Sequence, residues 1–370
     1  MQPLQGIKVV EIGDGLAAAM AALILAEAGA EVVRIEPEGG AASRRRGDGI
    51  DFALLNRGKR SVTANLAGGD TSERLRPLIE AADIVIESGR PGDLVDNGLD
   101  HASVKAVNPK IIYCSVTGWG QEGPKASEAA EDLNYLGATG LLSLATNGDS
   151  APTLPAGPFA AIGCGAYPCV INILLALRAR DAGGDGCRLD LAISQGLFAY
   201  AYDAIARADL TGEWPKPGGD ALTGGSARYQ IYPTKDGAYV AVAAANDRHW
   251  ENLCERLELE DDLRDDARDP EATRGALAAI LGARNAAFWR DKFENRDLCC
   301  SVIVDLATAV ADPQFSESGI FDRKVRHGAA EATAVIVPVA DQFRSEDLVV
   351  DAPSVGEASV LLGADSQTVT

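Results

Sequence analysis

With 370 residues the chain is long for one ordinary core, which favours two domains or one α/β domain with a large insertion. Its 34 Lys and Arg against 54 Asp and Glu give a net charge of −20, which opposes phosphate backbones and anionic membranes, so no nucleic-acid or membrane partner is expected. Seven cysteines, an odd number without a C-x-x-C pair, point to neither a zinc site nor a disulfide framework; a cytoplasmic chain without a metal is expected.

The start, Met1 to Ile12, has neither the basic flank and apolar run of a signal peptide nor a stretch long enough to cross a bilayer. From Ile7 to Ile12 the residues read as a strand, Gly13-Asp14-Gly15 as a turn, Leu16 to Ala28 as a helix, and Glu31 to Ile35 as a second strand. Strand, glycine turn, helix and strand make a βαβ unit, which needs helices on both faces of a parallel sheet. Further strands are expected at Ala82–Glu87 and Lys110–Val116, each after a helical segment, so the first half reads as Rossmann-like α/β. The glycine turn is weak evidence for a dinucleotide, because Ala18 stands where the third glycine of the usual fingerprint would be.

From Phe159 to Arg180 runs an apolar helix expected to be buried, carrying Cys164 and Cys169 as core residues. Pro and Gly between Trp214 and Asp220 mark a linker, and a new α+β pattern starts at Tyr229. Acidic runs at 258–263 and 265–269 read as solvated surface. His101, His249 and His327 are scattered, and His249 beside Trp250 reads as helix surface rather than a base.

Several segments in order resemble the class III CoA-transferase family, which includes formyl-CoA and carnitine CoA-transferases and α-methylacyl-CoA racemases. They are Leu4 to Glu11, Gly29 to Pro37, Leu55 to Ser61, Arg90-Pro91-Gly92, Thr117 to Pro124, Asp132 to Leu136, Tyr232 to Gly237 and Asp312 to Phe315. The resemblance implies a large Rossmann-like CoA-binding domain over 1–215, a smaller α+β domain over 222–325, and a segment over 326–370 that returns to the first. It also implies two chains interlocked as a dimer.

Coenzyme A needs cations for its phosphates, backbone groups for its pantetheine arm and a dry pocket for the thioester. Arg34, Lys59, Arg60 and Arg90 fall at or after the carboxyl ends of expected strands, where an open parallel sheet binds ligands, and are assigned to the nucleotide end. Leu55, Asn56, Gly89 and Asp132 complete the expected CoA-binding set, with Asp132 equally readable as structural. Arg44-Arg45-Arg46 reads as a solvated run that could touch phosphate.

The transferases of this family attack the thioester with a carboxylate, and Pro158 stands at the aligned position. The racemases use His, Asp and a further Glu, where this chain has Glu131, Pro158 and Asn246. Glu131 is therefore the catalytic candidate, as a base or a nucleophile, although a charge at a helix start is the simpler explanation of it. The expected activity is movement of CoA between an acyl-CoA and a carboxylic acid, by a homodimer or by a heteromer whose paralogous chain carries the missing aspartate. A 2-methylacyl-CoA racemase or epimerase, or a CoA-ester-binding subunit without turnover, are the alternatives. Arg228 could meet a second carboxylate on the substrate, or serve as a structural ion pair.

Overall fold

A computed structural model describes residues 1–66, 68, 71–146 and 151–362. The chain forms two compact units. One comprises residues 1–136, 155–199 and the chain from Pro313 onward; the other comprises residues 137–154 and 200–312.

The first unit is built on β1 (Lys8–Ile12), α1 (Leu16–Glu27), β2 (Glu31–Glu36), α2 (Ile50–Asn56), β3 (Arg60–Thr63), α3 (Thr71–Ala81), β4 (Ile84–Glu87), α4 (His101–Val107), β5 (Ile112–Thr117) and β6 (Cys187–Ala192). All six strands are parallel, in the order β3-β2-β1-β4-β5-β6. β4 and β5 are buried along their whole length, as strands covered on both faces must be. Val10, Ile12, Val33, Ile35, Val85 and Tyr113 of the sheet pack with Leu75, Leu78 and Ile79 of α3 into one core.

The sequence leaves β3 unrecognised, because four residues at a sheet edge are too short to show a period. The helix expected from Phe159 differs more. It opens with a π-helical stretch, Ala161–Ala166, and continues as Tyr167–Asp181. Cys164, Cys169, Ile173 and Leu177 are buried, but Tyr167, Ile171, Leu174 and Leu175 are exposed, so it is not buried on all sides. The residues 161–181 are long and apolar enough to cross a membrane, yet Arg178 and Arg180 lie in the last turn and one face packs inside the unit. α1 approaches this helix closely: a Cβ on Gly165 would lie 2.7 Å from the Cβ of Ala17, so glycine and alanine set the spacing.

The returning segment adds β10 (Lys324–His327) between β11 (Ala330–Thr333) and β12 (Val349–Val350). Backbone bonds from Gly58 N–H to Asp351 O (2.9 Å) and from Ala358 N–H to Ser61 O (2.8 Å) tie it to the region of β3. In the second unit β7 (Tyr229–Pro233), β8 (Tyr239–Ala243) and β9 (Cys300–Val302) form an antiparallel sheet over a core that includes Trp250, Leu253, Leu277 and Trp289.

Candidate active site

The strand order reverses between β1 and β4, and the loops leaving these two strands diverge to opposite sides of the sheet. Such a switch point opens a crevice outside the carboxyl ends of the strands. Gly13 and Gly15 after β1 face Ser88 after β4. A Cβ on Gly13 would lie 2.5 Å from Ser88 Oγ, and the Gly15 N–H donates to that oxygen at 3.1 Å. Gly13 also has φ +104°, a left-handed conformation suited to glycine. The turn read from the sequence is thus a close approach between two loops.

Two clefts open here. The first, ≈ 500 Å³, runs from Gly15 past Gly89 and Arg90 to Thr117, Trp119, Glu131, Asp132 and Tyr135. The second, ≈ 570 Å³, lies over Leu23, Phe52, Leu54, Val335 and Val337, with Arg46 among its charged residues. Both are of ligand size. Gly15, Leu16, Glu131 and Pro158 line both clefts, so Pro158, at the position where the resemblance places an aspartate, and the Glu131 carboxylate both border their junction.

Glu131 directly precedes α5 (Asp132–Ala138); its C=O accepts from the N–H groups of Asn134 (2.8 Å) and Tyr135 (3.2 Å), and its own N–H donates to Asn134 Oδ1 (3.0 Å). It occupies the helix-start position that the alternative reading assigned it, and its side chain is exposed rather than desolvated. Asp132 has a clear structural task, since its Oδ1 accepts from the Ala161 N–H at 2.7 Å and pins the π-helical stretch beside α5. A Cβ on Gly118 would lie 2.3 Å from the Tyr135 hydroxyl oxygen, which itself donates to Ala130 O at 2.8 Å.

The expected ring of cations needs correction. Arg34 is 1 % exposed, paired with Glu11 and, at 2.5 Å, with Asp14. Lys59 is fully enclosed and donates to Glu11 Oε2 (2.7 Å), Ala19 O (2.9 Å) and Asn56 Oδ1 (3.0 Å). The physical reason is Glu11. A carboxylate on an internal strand must be matched by cations, and these two are consumed by it. Burial pulls the Arg34 guanidinium down, and Glu11, Asp14 and Glu36 reverse the sign, leaving it above its ordinary value. Burial dominates at Lys59, lowering its ammonium to about 8 despite Glu11.

Arg60 is exposed on the edge strand and borders neither cleft, whereas Leu55 and Asn56 line the second and Gly89 and Arg90 the first. Arg44 is committed to Glu36 (2.5 Å) and lies over the Phe52 ring at 3.9 Å, whereas Arg46 is exposed in the second cleft. Arg57, which the residue reading passed over, also lines the second cleft. It is bound to Glu27 at 3.2 Å, and burial lowers its guanidinium to about 10. The overlooked signal was acidic: Glu11, Glu27 and Glu36 lie in apolar elements, and buried carboxylates claim nearby Arg and Lys.

Trp119 Nε1 and Gln121 Nε2 are buried donors with no acceptor among the described residues. Trp119 lines the first cleft, and Gln121 lines a neighbouring cleft of ≈ 320 Å³ that shares Arg90 and Pro91 with it. In the second unit Arg228 is a structural ion pair, held by Asp266 (2.8 Å) and Asp247 (2.6 Å). Asn246 caps a helix through His249 N–H at 2.9 Å. Among the described residues no group of three or more His, Cys, Asp or Glu is arranged to hold a metal ion.

A succinate–glutarate CoA-transferase of Agrobacterium fabrum is 35 % identical over 268 residues, covering 69 % of this chain and 66 % of that protein. The human α-methylacyl-CoA racemase is 29 % identical over 323 residues, covering 86 % and 82 %. The alpha subunit of the succinyl-CoA–L-malate CoA-transferase of Chloroflexus aurantiacus is 32 % identical (84 % and 75 % covered), and the beta subunit of that enzyme 31 % (69 % and 65 %). Among solved structures, a CAIB/BAIF family protein of Brucella suis superposes with a TM-score of 0.79 at 30 % identity, covering 97 % of this chain and 98 % of that one. The family model for CoA-transferase family III matches residues 4–359. With the switch-point clefts and the ordered segments that line them, this match establishes that the chain belongs to CoA-transferase family III.

Proposed function

We propose that the chain acts on acyl-CoA thioesters at the junction of the two clefts, moving CoA between an acyl-CoA and a carboxylic acid. The observation that carries this reading is the shared wall of Glu131 and Pro158. The first cleft, with Arg90 at its mouth and the glycine turns after β1 and β4, takes the CoA side. The apolar second cleft takes the acyl side, with Arg46 suited to a carboxylate on the acyl chain. The acceptor-less donors of Trp119 and Gln121 favour a polar ligand in this region.

In this reading Glu131 attacks the thioester carbonyl, forming a mixed anhydride and releasing the CoA thiolate, which then attacks the glutamyl carbonyl and frees the acid. The incoming carboxylate reverses the sequence and leaves as the new acyl-CoA. Closure around substrate supplies the desolvation that the exposed side chain lacks in the free chain.

Glu131→Gln in the purified homo-oligomer should lower exchange between succinyl-CoA and a labelled dicarboxylic acid by at least about 100-fold. An unchanged rate removes Glu131 from the chemistry. If the chain alone shows no turnover and acquires it only with a paralogous chain carrying Asp at the Pro158 position, the heteromeric form holds. Full turnover by the homo-oligomer rules that form out.

The racemase reading is favoured by the segment from Asp132 to Tyr135 and disfavoured by Pro158 and Asn246 in place of its acids. Deuterium entering the α-position of 2-methylacyl-CoA in heavy water, without an acceptor acid, would support it.

The chain is further proposed to work as a dimer. The exposed face of the helix Tyr167–Asp181, with Ile171, Leu174 and Leu175, is the apolar surface that a second copy would cover.

A further inference from the structure

In the second unit Cys299, His249 and Asp297 form a hydrogen-bonded chain. Cys299 Sγ lies 3.0 Å from His249 Nδ1, and His249 Nε2 lies 3.0 Å from Asp297 Oδ1. His249 sits in the first turn of the helix Asp247–Leu257, its backbone N–H held by the capping Asn246 Oδ1 at 2.9 Å. Asp297 also pairs with Arg248, which holds the carboxylate at the Nε2 end of the imidazole.

An Nε2–H directed at the carboxylate leaves the Nδ1 lone pair facing the thiol. The Asn246 amide, 2.9 Å from Nδ1, selects the same tautomer by donating to that lone pair, which it shares with the thiol. Cys299 is exposed, and its φ of +51° is a left-handed conformation rare for a residue with a Cβ. Its C=O accepts from the Ala243 N–H at 2.9 Å, at the end of β8, which holds the backbone in place. Strain kept by surrounding hydrogen bonds is common at functional positions.

We propose that Cys299 is a nucleophilic thiol, with His249 as its base and Asp297 as the positioning residue, and that it accepts acyl groups from donors with a good leaving group, thioesters included. The thiol proton passes to His249 Nδ1 as sulfur attacks the acyl carbonyl. A C–S bond forms, the bond to the leaving thiolate or phenolate breaks, and that group departs with the proton from Nδ1. The product is S-acyl-Cys299. The inference does not depend on the CoA reading.

The test uses the full chain and p-nitrophenyl acetate, which carries no CoA. One equivalent of p-nitrophenolate should be released per chain in a burst, with the acetyl group found on the Cys299 peptide by mass spectrometry. Cys299→Ser should remove the burst, and His249→Gln should slow it at least about tenfold. Asp297→Asn should slow it and convert the His249 ring, in its 15N spectrum, from the Nε2–H to a mixed tautomer, a change that mere loss of packing would not produce. Because a variant can misfold, the same inference is read in the wild-type chain with iodoacetamide, which should label Cys299 at least about tenfold faster than the half-buried Cys187. Acetyl spread evenly over the accessible cysteines, or a wild-type burst rate in His249→Gln, would overturn the proposal.

Discussion

Lys59 is enclosed against Glu11, and its ammonium falls from 10.5 to about 8 because burial outweighs the carboxylate. Between these two values the unfolded chain holds a proton that the folded chain has released. Stability from this group therefore rises as pH climbs from about 8 to 10.5 and is flat outside that window. A shift of this size corresponds to about 3 kcal/mol as an upper bound. Lys59→Met should lack that rise, so the difference in unfolding free energy between wild type and variant, from urea titrations across the window, should move in favour of wild type. Parallel pH curves would show that Lys59 keeps its ordinary proton affinity. Glu131, by contrast, is exposed, so the attack proposed for it requires something to close over it.

Among the elements, α5 and the loop after β5 set the candidate site, and Gly118 is the contact on which they fit. The Tyr135 ring fills the space a side chain there would need and meets Trp119 edge-on, with ring centroids 5.3 Å apart. Gly118→Ala should force Tyr135 from its bond to Ala130 and shift the start of α5, where Glu131 stands. The expected cost is about 1–3 kcal/mol in stability, seen as a lower urea midpoint, with a fall in acyl-CoA exchange alongside. A midpoint equal to wild type would mean that the ring relaxes without cost. The π-helical stretch at 161–166 bears on the same site, because Asp132 binds its first N–H.

For the whole molecule, the exposed apolar face of Tyr167–Asp181 is the feature that a lone chain leaves unexplained. Sedimentation of the wild type at micromolar concentration should give a dimer. Leu175→Glu, on the exposed side, should shift it to monomer with an unchanged circular dichroism spectrum. A monomeric wild type would sink the dimer reading.

The parallel sheet was legible because β1, β2, β4 and β5 are short runs rich in Val and Ile separated by glycine turns and helical segments, patterns carried by neighbouring residues. β3 was not, being four residues long, and the exposed side of Tyr167–Asp181 was missed because hydropathy counts apolar residues without saying what covers them. Glu131 and Pro158 were singled out from the sequence, but only the fold brings them, 27 positions apart in the numbering, to one junction between two clefts. His249 read as surface because Cys299 and Asp297 lie about fifty residues further along.

The sequence by itself determined the family, the α/β sheet and the absence of the usual aspartate. The tertiary structure decided which charges remain available. Arg34, Arg57 and Lys59 are spent on Glu11 and Glu27, while Arg46 and Arg90 stay at the clefts, because a buried carboxylate claims its cation through space and leaves no trace in spacing along the chain.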